Sequence, residues 1–197
     1  GVALFRLGPQ RDAALFVRGE GFHLRPPEMD DFPAWARLRA ASRAFLTPWE
    51  PVWPSDDLTR GAFRQRLRRY RQEIADDLSY PFFLFRDDGA LLGGLTLGQV
   101  RRGVSQTATL GYWMGEAHAH QGHMSRAVCA ATGFAFGELR LHRVEAACVP
   151  ENEASRRLLE KVGFRYEGVA RAYLRIDGSW RDHRLYALLE TDPVAGV

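Results

Sequence analysis

The sequence predicts one α/β domain with a largely antiparallel sheet that turns parallel around a central strand. Two hairpin signals carry the antiparallel part. One is Phe82–Phe85 and Leu91–Leu97 about a turn at Asp87–Gly89; the other is Tyr173–Ile176 and Arg184–Leu189 about Asp177-Gly178. Between them, Leu110–Met114 runs as a strand through a glycine-containing loop straight into a helix. Strand Arg143–Val149 and a helix over 152–162 then repeat that order, and a helical crossover returns a strand parallel to the first. At 197 residues and 46% hydrophobic the chain can bury a full core, and no repeat or low-complexity linker divides it.

In chain order, residues 1–19 read as an arm or edge strand ahead of a domain over 20–192. Phe22–Leu24 is a strand closed by Pro26 and Pro27, and Asp30 or Asp31 can cap the helix that follows. Phe32, Trp35, Ala36 and Leu38 give that helix a partial apolar face. Phe45–Pro54 is rich in proline and aromatics. It is either a loop pinned to the core by Trp49 and Trp53 or a wall of a substrate groove. Residues 56–77 predict a helix with Leu58, Phe63, Leu67, Tyr70 and Ile74 as its stripe. The central strand sets Leu110, Tyr112 and Met114 on one face and Trp113 on the other. From Met124 the period becomes helical through Val128, Ala131, Phe134 and Ala135. The helix over 152–162 carries Asn152 and acids at its start, Lys161 near its end and Gly163 as C-cap.

Composition narrows the function classes. No apolar run approaches the roughly 18–20 residues that cross a bilayer, and the first residues lack a secretory layout, so a cytoplasmic protein without a membrane partner is expected. Cys129 and Cys148 fall inside a helix and a strand and read as small buried residues. His118, His120 and His123 crowd the central loop, but no cysteine or carboxylate stands at ligand spacing, so no metal is expected. Net charge is only +3, with Lys161 the sole lysine. Arg60, Arg64, Arg66, Arg68, Arg69 and Arg71 concentrate on one helix. They form either a solvated face or a surface that makes weak contact with ribosomal RNA or an acidic partner.

The loop that holds Gly115 and Gly122 and opens a helix leaves free backbone N–H groups at the positive end of a helix dipole. That suits a phosphate or pyrophosphate, or it is a plain strand-to-helix connection.

Several stretches together resemble the GCN5-related N-acetyltransferases (GNAT). The acyl-CoA pyrophosphate motif falls on Ala119–Met124, where Gly122 fits and Ala119 and Met124 depart. Pro150–Ser155 and Leu158–Phe164 resemble the family's other motif. Phe45–Pro51, Glu167-Gly168 and Asp177–His183 are similar to the ribosomal-protein-alanine N-acetyltransferase branch, over residues 22 to 190. The resemblance implies a single GNAT-type domain, mostly antiparallel and twisted, with a splayed central strand pair and flanking helices. It implies acetyl-CoA as cosubstrate and no metal. Its cofactor contacts would be Tyr112, Trp113, Met114, Gln121, Gly122, His123, Met124, Ser125, Asn152 and Ser155, with a backbone N–H near Met114 as oxyanion donor.

Acetyl transfer also needs an acid for the departing thiolate and a neutral amine. Relatives place a tyrosine four residues before the last helix's closing glycine; here Leu159 stands there. Ser155 matches the serine acid of the ribosomal branch, or it serves only its own helical turn; Asn152 is an N-cap or also a pantetheine ligand. An α-amine with a pKa of about 7.7–8.0 needs little base strength. Glu116 and Glu145 are the candidates, and Glu145 equally suits a pair with Arg143 or Arg165. Trp49, Tyr173 and Trp180 would wall the acceptor. Neither cysteine falls where the thioester is expected, which favours direct transfer. The acceptor implied is a protein N-terminus, as in a small-subunit ribosomal protein. The alternatives are a small amine (an antibiotic, polyamine or amino acid) and a non-catalytic ribosome-assembly factor.

Overall fold

In the computed structural model, which describes residues 15–193, period-two burial resolves into eight strands of one sheet. They are β1 (Val17–Arg18), β2 (Phe22–Arg25), β3 (Tyr80–Arg86), β4 (Leu91–Arg101), β5 (Thr107–Met114), β6 (Arg143–Cys148), β7 (Arg165–Ile176) and β8 (Ser179–Leu189). Their order is β1-β2-β3-β4-β5-β6-β8-β7, and every neighbouring pair is antiparallel except β5 and β6, which run parallel. The helices are α1 (Phe32–Ala41), α2 (Arg43–Leu46), α3 (Arg60–Ala75), α4 (His123–Gly137) and α5 (Glu153–Val162). The arm or edge strand expected over 1–19 falls outside the described residues up to position 14; Val17–Arg18 pair with β2.

Both faces of the sheet are covered, so β3 reads as an almost unbroken apolar run. Phe82 and Leu84 point to the α4 and α5 side, with Leu95, Leu110, Val144 and Leu159. Phe83 and Phe85 point the other way, against Trp35 of α1 and Phe63 and Leu67 of α3. Two expectations shift locally. Asp31 does not cap α1 through its side chain. Both of its carboxylate oxygens accept from Arg25 at 2.8 Å, and one also accepts from the Glu28 N–H. A bidentate charged pair is stronger than a single cap bond. The arginine-rich helix starts at Arg60, capped by Thr59, because the chain after Pro54 first makes turns held by Asp57 N–H to Pro54 O.

The decisive feature is where β5 and β6 part. Their pairing runs from Thr107 opposite Arg143 to Leu110 opposite Ala146 and stops, although β5 continues to Met114 and β6 to Cys148. β5 stays with β4 throughout, down to Gly93 opposite Met114. That pairing is close: a Cβ at Gly93 would sit 2.2 Å from the Trp113 carbonyl oxygen. β6 stays with β8, with Cys148 opposite Arg184. The sheet therefore opens as a wedge.

The 45–54 segment lies at this wedge. Glu50 accepts from Arg39 Nη1 and Nη2 at 2.9 and 2.7 Å and from Trp53 Nε1 at 2.8 Å. The buried Arg39 guanidinium lies 4.2 Å from the Trp53 ring centroid and 4.9 Å from that of Trp113. The Glu50 carbonyl accepts from the Asp177 N–H at 2.8 Å, which ties the segment to the final hairpin turn.

Gly93→Ala should destabilise the fold by about 3 kcal/mol, at the upper end of overpacking costs, because backbone and not a flexible tip must yield. Urea unfolding measures it; a cost under about 1 kcal/mol would show that β4 and β5 have room to spare.

Candidate active site

A cavity of about 740 Å³ fills the wedge and reaches both faces of the sheet. At one end lies the start of α4. Its N-cap is Gly122 at φ +83°, a left-handed conformation in which a side chain is strained. No side chain caps this end, so the first-turn N–H groups of His123, Met124 and Ser125, all on the cavity wall, are left for a ligand. Along the middle runs the free edge of β5. The Gly115 N–H donates to Leu92 O at 2.8 Å. Alternation along the antiparallel ladder then turns the backbone N–H groups of Tyr112 and Met114 the other way, toward the gap where β6 has separated.

Beside that edge stand two hydroxyls. The Asn152 carboxamide oxygen accepts from the Ser155 N–H at 3.1 Å and so sets the first turn of α5. Ser155 Oγ in turn lies 2.5 Å from Tyr112 Oη. Burial pushes the Tyr112 phenol well above its ordinary range, so it remains a neutral hydroxyl. The Cys148 thiol also lines the cavity, against the expectation that both cysteines sit away from the reacting centre. Burial raises its pKa as well, so at neutral pH it is a thiol and not a thiolate. Cys129 lies off the cavity wall, on α4.

Most of the other sequence candidates reach the wall, and some do not. Trp49, Trp113 and Met114 line the cavity. Gln121 does not: its side chain bonds Ala117 O and His123 Nε2 within the loop. Glu116 is exposed in a short turn, its backbone N–H donating to Ser42 Oγ at 3.0 Å. Glu145 accepts from Arg143 Nε at 3.0 Å and is off the cavity wall. The strand's parallel register holds it beside Thr109, where β5 and β6 are still joined. Tyr173 and Trp180 are exposed on the outer hairpin; Leu174, Ile176 and His183 face the cavity instead. Several arginines of α3 are engaged. Arg66 pairs with Asp57 at 2.9 Å and lies over Trp35, Arg60 lies over Phe32, and Arg69 pairs with Glu73. No cluster of three metal-capable side chains occurs among the described residues. Their helices include none long and apolar enough to cross a membrane.

A cleft through a sheet, with free helix N–H groups at one end and a free strand edge beside a hydroxyl pair, is the layout of a transferase for a phosphate-bearing thioester. Comparison makes this specific: the model of the acetyltransferase (GNAT) domain matches residues 22–165, and the chain belongs to that family. It is an N-acetyltransferase, and acetyl-CoA is the family's acetyl donor. A probable N-acetyltransferase, YjcK, of Bacillus subtilis is 37% identical over 177 residues, 89% of this chain and 98% of its own length. The [ribosomal protein uS5]-alanine N-acetyltransferase of Escherichia coli is 35% identical over 169 residues, 84% of this chain and 87% of its own. Mycobacterium smegmatis RimJ in complex with CoA-disulfide superposes with a TM-score of 0.82 at 36% identity, covering 86% of this chain and 82% of that one.

Two outcomes follow for the donor end. Gly122→Ala, strained by about 1–2 kcal/mol in the left-handed region, should weaken CoA binding about tenfold in calorimetry; unchanged affinity would remove this loop from the phosphate site. Burial, and then neighbouring Arg126, hold the His123 pKa below its ordinary value, so the free protein carries it neutral at pH 7. A bound diphosphate favours the protonated ring. CoA affinity should therefore rise as pH falls from roughly 8 to 6, and His123→Ala should flatten that slope.

Proposed function

We propose that this protein transfers the acetyl group of acetyl-CoA directly to the α-amine of a protein N-terminus, one that begins with alanine, and that its acceptor is a ribosomal protein. The observation that carries the reading is the continuity of the cavity. It runs from the phosphate-suited start of α4, past the free edge of β5, to an apolar mouth of Phe45, Trp49, Leu174 and Ile176 on the other side. Donor and acceptor can therefore meet without a covalent enzyme intermediate. The Met114 N–H is directed into the gap and suits the thioester oxygen as it gains charge. Ser155, beside Tyr112, suits the departing sulfur. The alanine preference rests on the 35% identical uS5 enzyme.

A polyamine acceptor is disfavoured by charge. Glu50 and Glu153 are the carboxylates on the wall among the described residues, and Glu50 is already neutralised by Arg39. Two cationic side chains, Arg157 and Lys161, stand nearer the donor end with the His123 imidazole, where they suit phosphates.

Intact-mass measurement of N-terminal peptides after incubation with acetyl-CoA tests this. The panel includes an alanine peptide and an N-terminally blocked control with a free lysine. The alanine peptide should gain one acetyl group and the blocked one none; acetylation of small amines alone would transfer the role to a metabolite. Ser155→Ala should lower kcat by about 10²-fold with the CoA Kd unchanged. Full activity in that variant would leave the thiolate to solvent.

A further inference from the structure

The acetyl-transfer reading needs a proton acceptor for the attacking amine, and neither carboxylate that the sequence suggests reaches the cavity. We infer that His183 is that base, and that its Nε2 takes the proton from the acceptor amine. This assignment rests on the transferase reading above.

First, His183 is a buried side chain on the cavity wall. Its Nδ1 lies 2.9 Å from the Arg181 carbonyl oxygen. A carbonyl only accepts, so Nδ1 carries the proton and Nε2 of the neutral ring holds a lone pair. No described group hydrogen-bonds that Nε2. An orienting bond on one ring nitrogen and a free lone pair on the other is what a general base requires.

Second, the ring is on the acceptor's side of the sheet. Leu185 sits opposite Ala147, and Arg184 opposite Cys148. Side chains on a strand alternate, so His183 shares the face of Leu185 and Ala147, while Cys148 belongs to the other face with Val144 and Ala146. Tyr112 and Ser155 occupy that opposite face with α5. The amine-side group and the sulfur-side hydroxyls thus flank the gap from its two sides. An attacking nitrogen and a departing sulfur are placed in the same way around a thioester carbon.

Third, the groups around the ring leave it free to act. From β7, Tyr173 packs against it with centroids 5.6 Å apart. From the 45–54 segment, Glu50 shares the cavity but is bound by Arg39 and Trp53. On its own strand, Arg181 pairs with Glu151, the Asp182 carboxylate accepts from the Ala172 N–H, and Arg184 lies over Tyr166. Among the described residues, the carboxylates around the ring, Glu50, Glu151 and Asp182, are each engaged by another partner.

The amine lone pair forms the N–C bond, and the C–S bond breaks with its electron pair passing to sulfur. The amine proton passes to Nε2 and then to water. The sulfur takes one proton, delivered through the Ser155 hydroxyl and replaced from solvent. The products are the N-acetylated amine and CoA thiol.

The test uses the full-length protein with acetyl-CoA and the alanine peptide. His183→Asn keeps a donor near the Nδ1 position for the Arg181 carbonyl and removes Nε2. It should lower kcat/KM at neutral pH by about 10²-fold or more, with the CoA Kd within about twofold of wild type. Its rate should climb with pH until the amine itself is neutral, near about 8. A variant that folds, binds CoA and matches the wild-type rate and pH profile would overturn the assignment. A second measurement needs no variant: wild-type rates against pH with an aminooxyacetyl-terminated peptide, whose nitrogen is neutral from mildly acidic pH upward. An acidic limb that persists belongs to a base on the enzyme, and its disappearance would overturn the assignment. Wild-type protein that acetylates no amine would instead sink the transferase reading itself.

Discussion

A β-strand that leaves its neighbour takes unpaired backbone groups with it, and a folded chain rarely leaves such groups without a partner. Here β5 and β6 separate after Leu110 and Ala146. On the β6 side, the edge of β5 from Tyr112 to Met114 has no strand to pair with, and the gap holds the cavity instead. A pantetheine arm, itself a chain of amides, can supply the missing partner. The separation is enforced from outside: β4 grips β5 so closely that Gly93 has no space for a Cβ, and β8 grips β6 along its length. The wedge is thus the consequence of two strong pairings that diverge.

The same opening divides the chemistry between the faces. The α5 side offers Asn152, Ser155 and Tyr112, each fixed by the next in a short hydrogen-bonded series. The other side offers an aromatic and aliphatic mouth. It is held in place by one charged residue whose demands are almost fully met: Arg39, chelated by Glu50 and packed between Trp53 and Trp113. Its Nε is the exception, buried and unpaired. Placing that charge so near the acceptor mouth is costly unless Glu50 stays bound. The carboxylate's task is therefore to hold the loop, which removes it as a proton acceptor.

Local signals were legible in the sequence and long-range ones were not. Gly122, Asn152 and Gly163 act within a turn of their own positions, and each caps its helix as its residue type suggests. Both hairpins and the alternation of Tyr112 against Trp113 also follow from neighbours in sequence. The Tyr112–Ser155 contact joins residues 43 apart, and no periodicity announces it. Glu145 is a carboxylate inside a mostly apolar strand. Its explanation is Arg143, two residues before it on the same face and one of the two partners the sequence suggests. Nothing in the sequence sets His183 apart from the aromatics near it, Tyr173 and Trp180, which are exposed while His183 is buried on the cavity wall. A strand buried on one face and open on the other does not declare which face meets a cavity.

Cys148 sharpens the choice between direct transfer and an acyl-enzyme. A thiol at the cavity wall is a group that could accept an acetyl before the amine does. Acceptance requires a thiolate, and thiolates form where a positive charge or helix N-terminus outweighs burial. At Cys148 burial outweighs the opposing pull of Arg184, and the thiol lies on the same face as Tyr112 and Ser155, the sulfur side of the gap. That is the side from which the leaving group departs. A nucleophile must approach the carbonyl carbon from elsewhere, and the mouth at Trp49 opens on the opposite face. Position and protonation together leave the attack to the incoming amine, so the proposed direct transfer survives a cysteine in its own cavity.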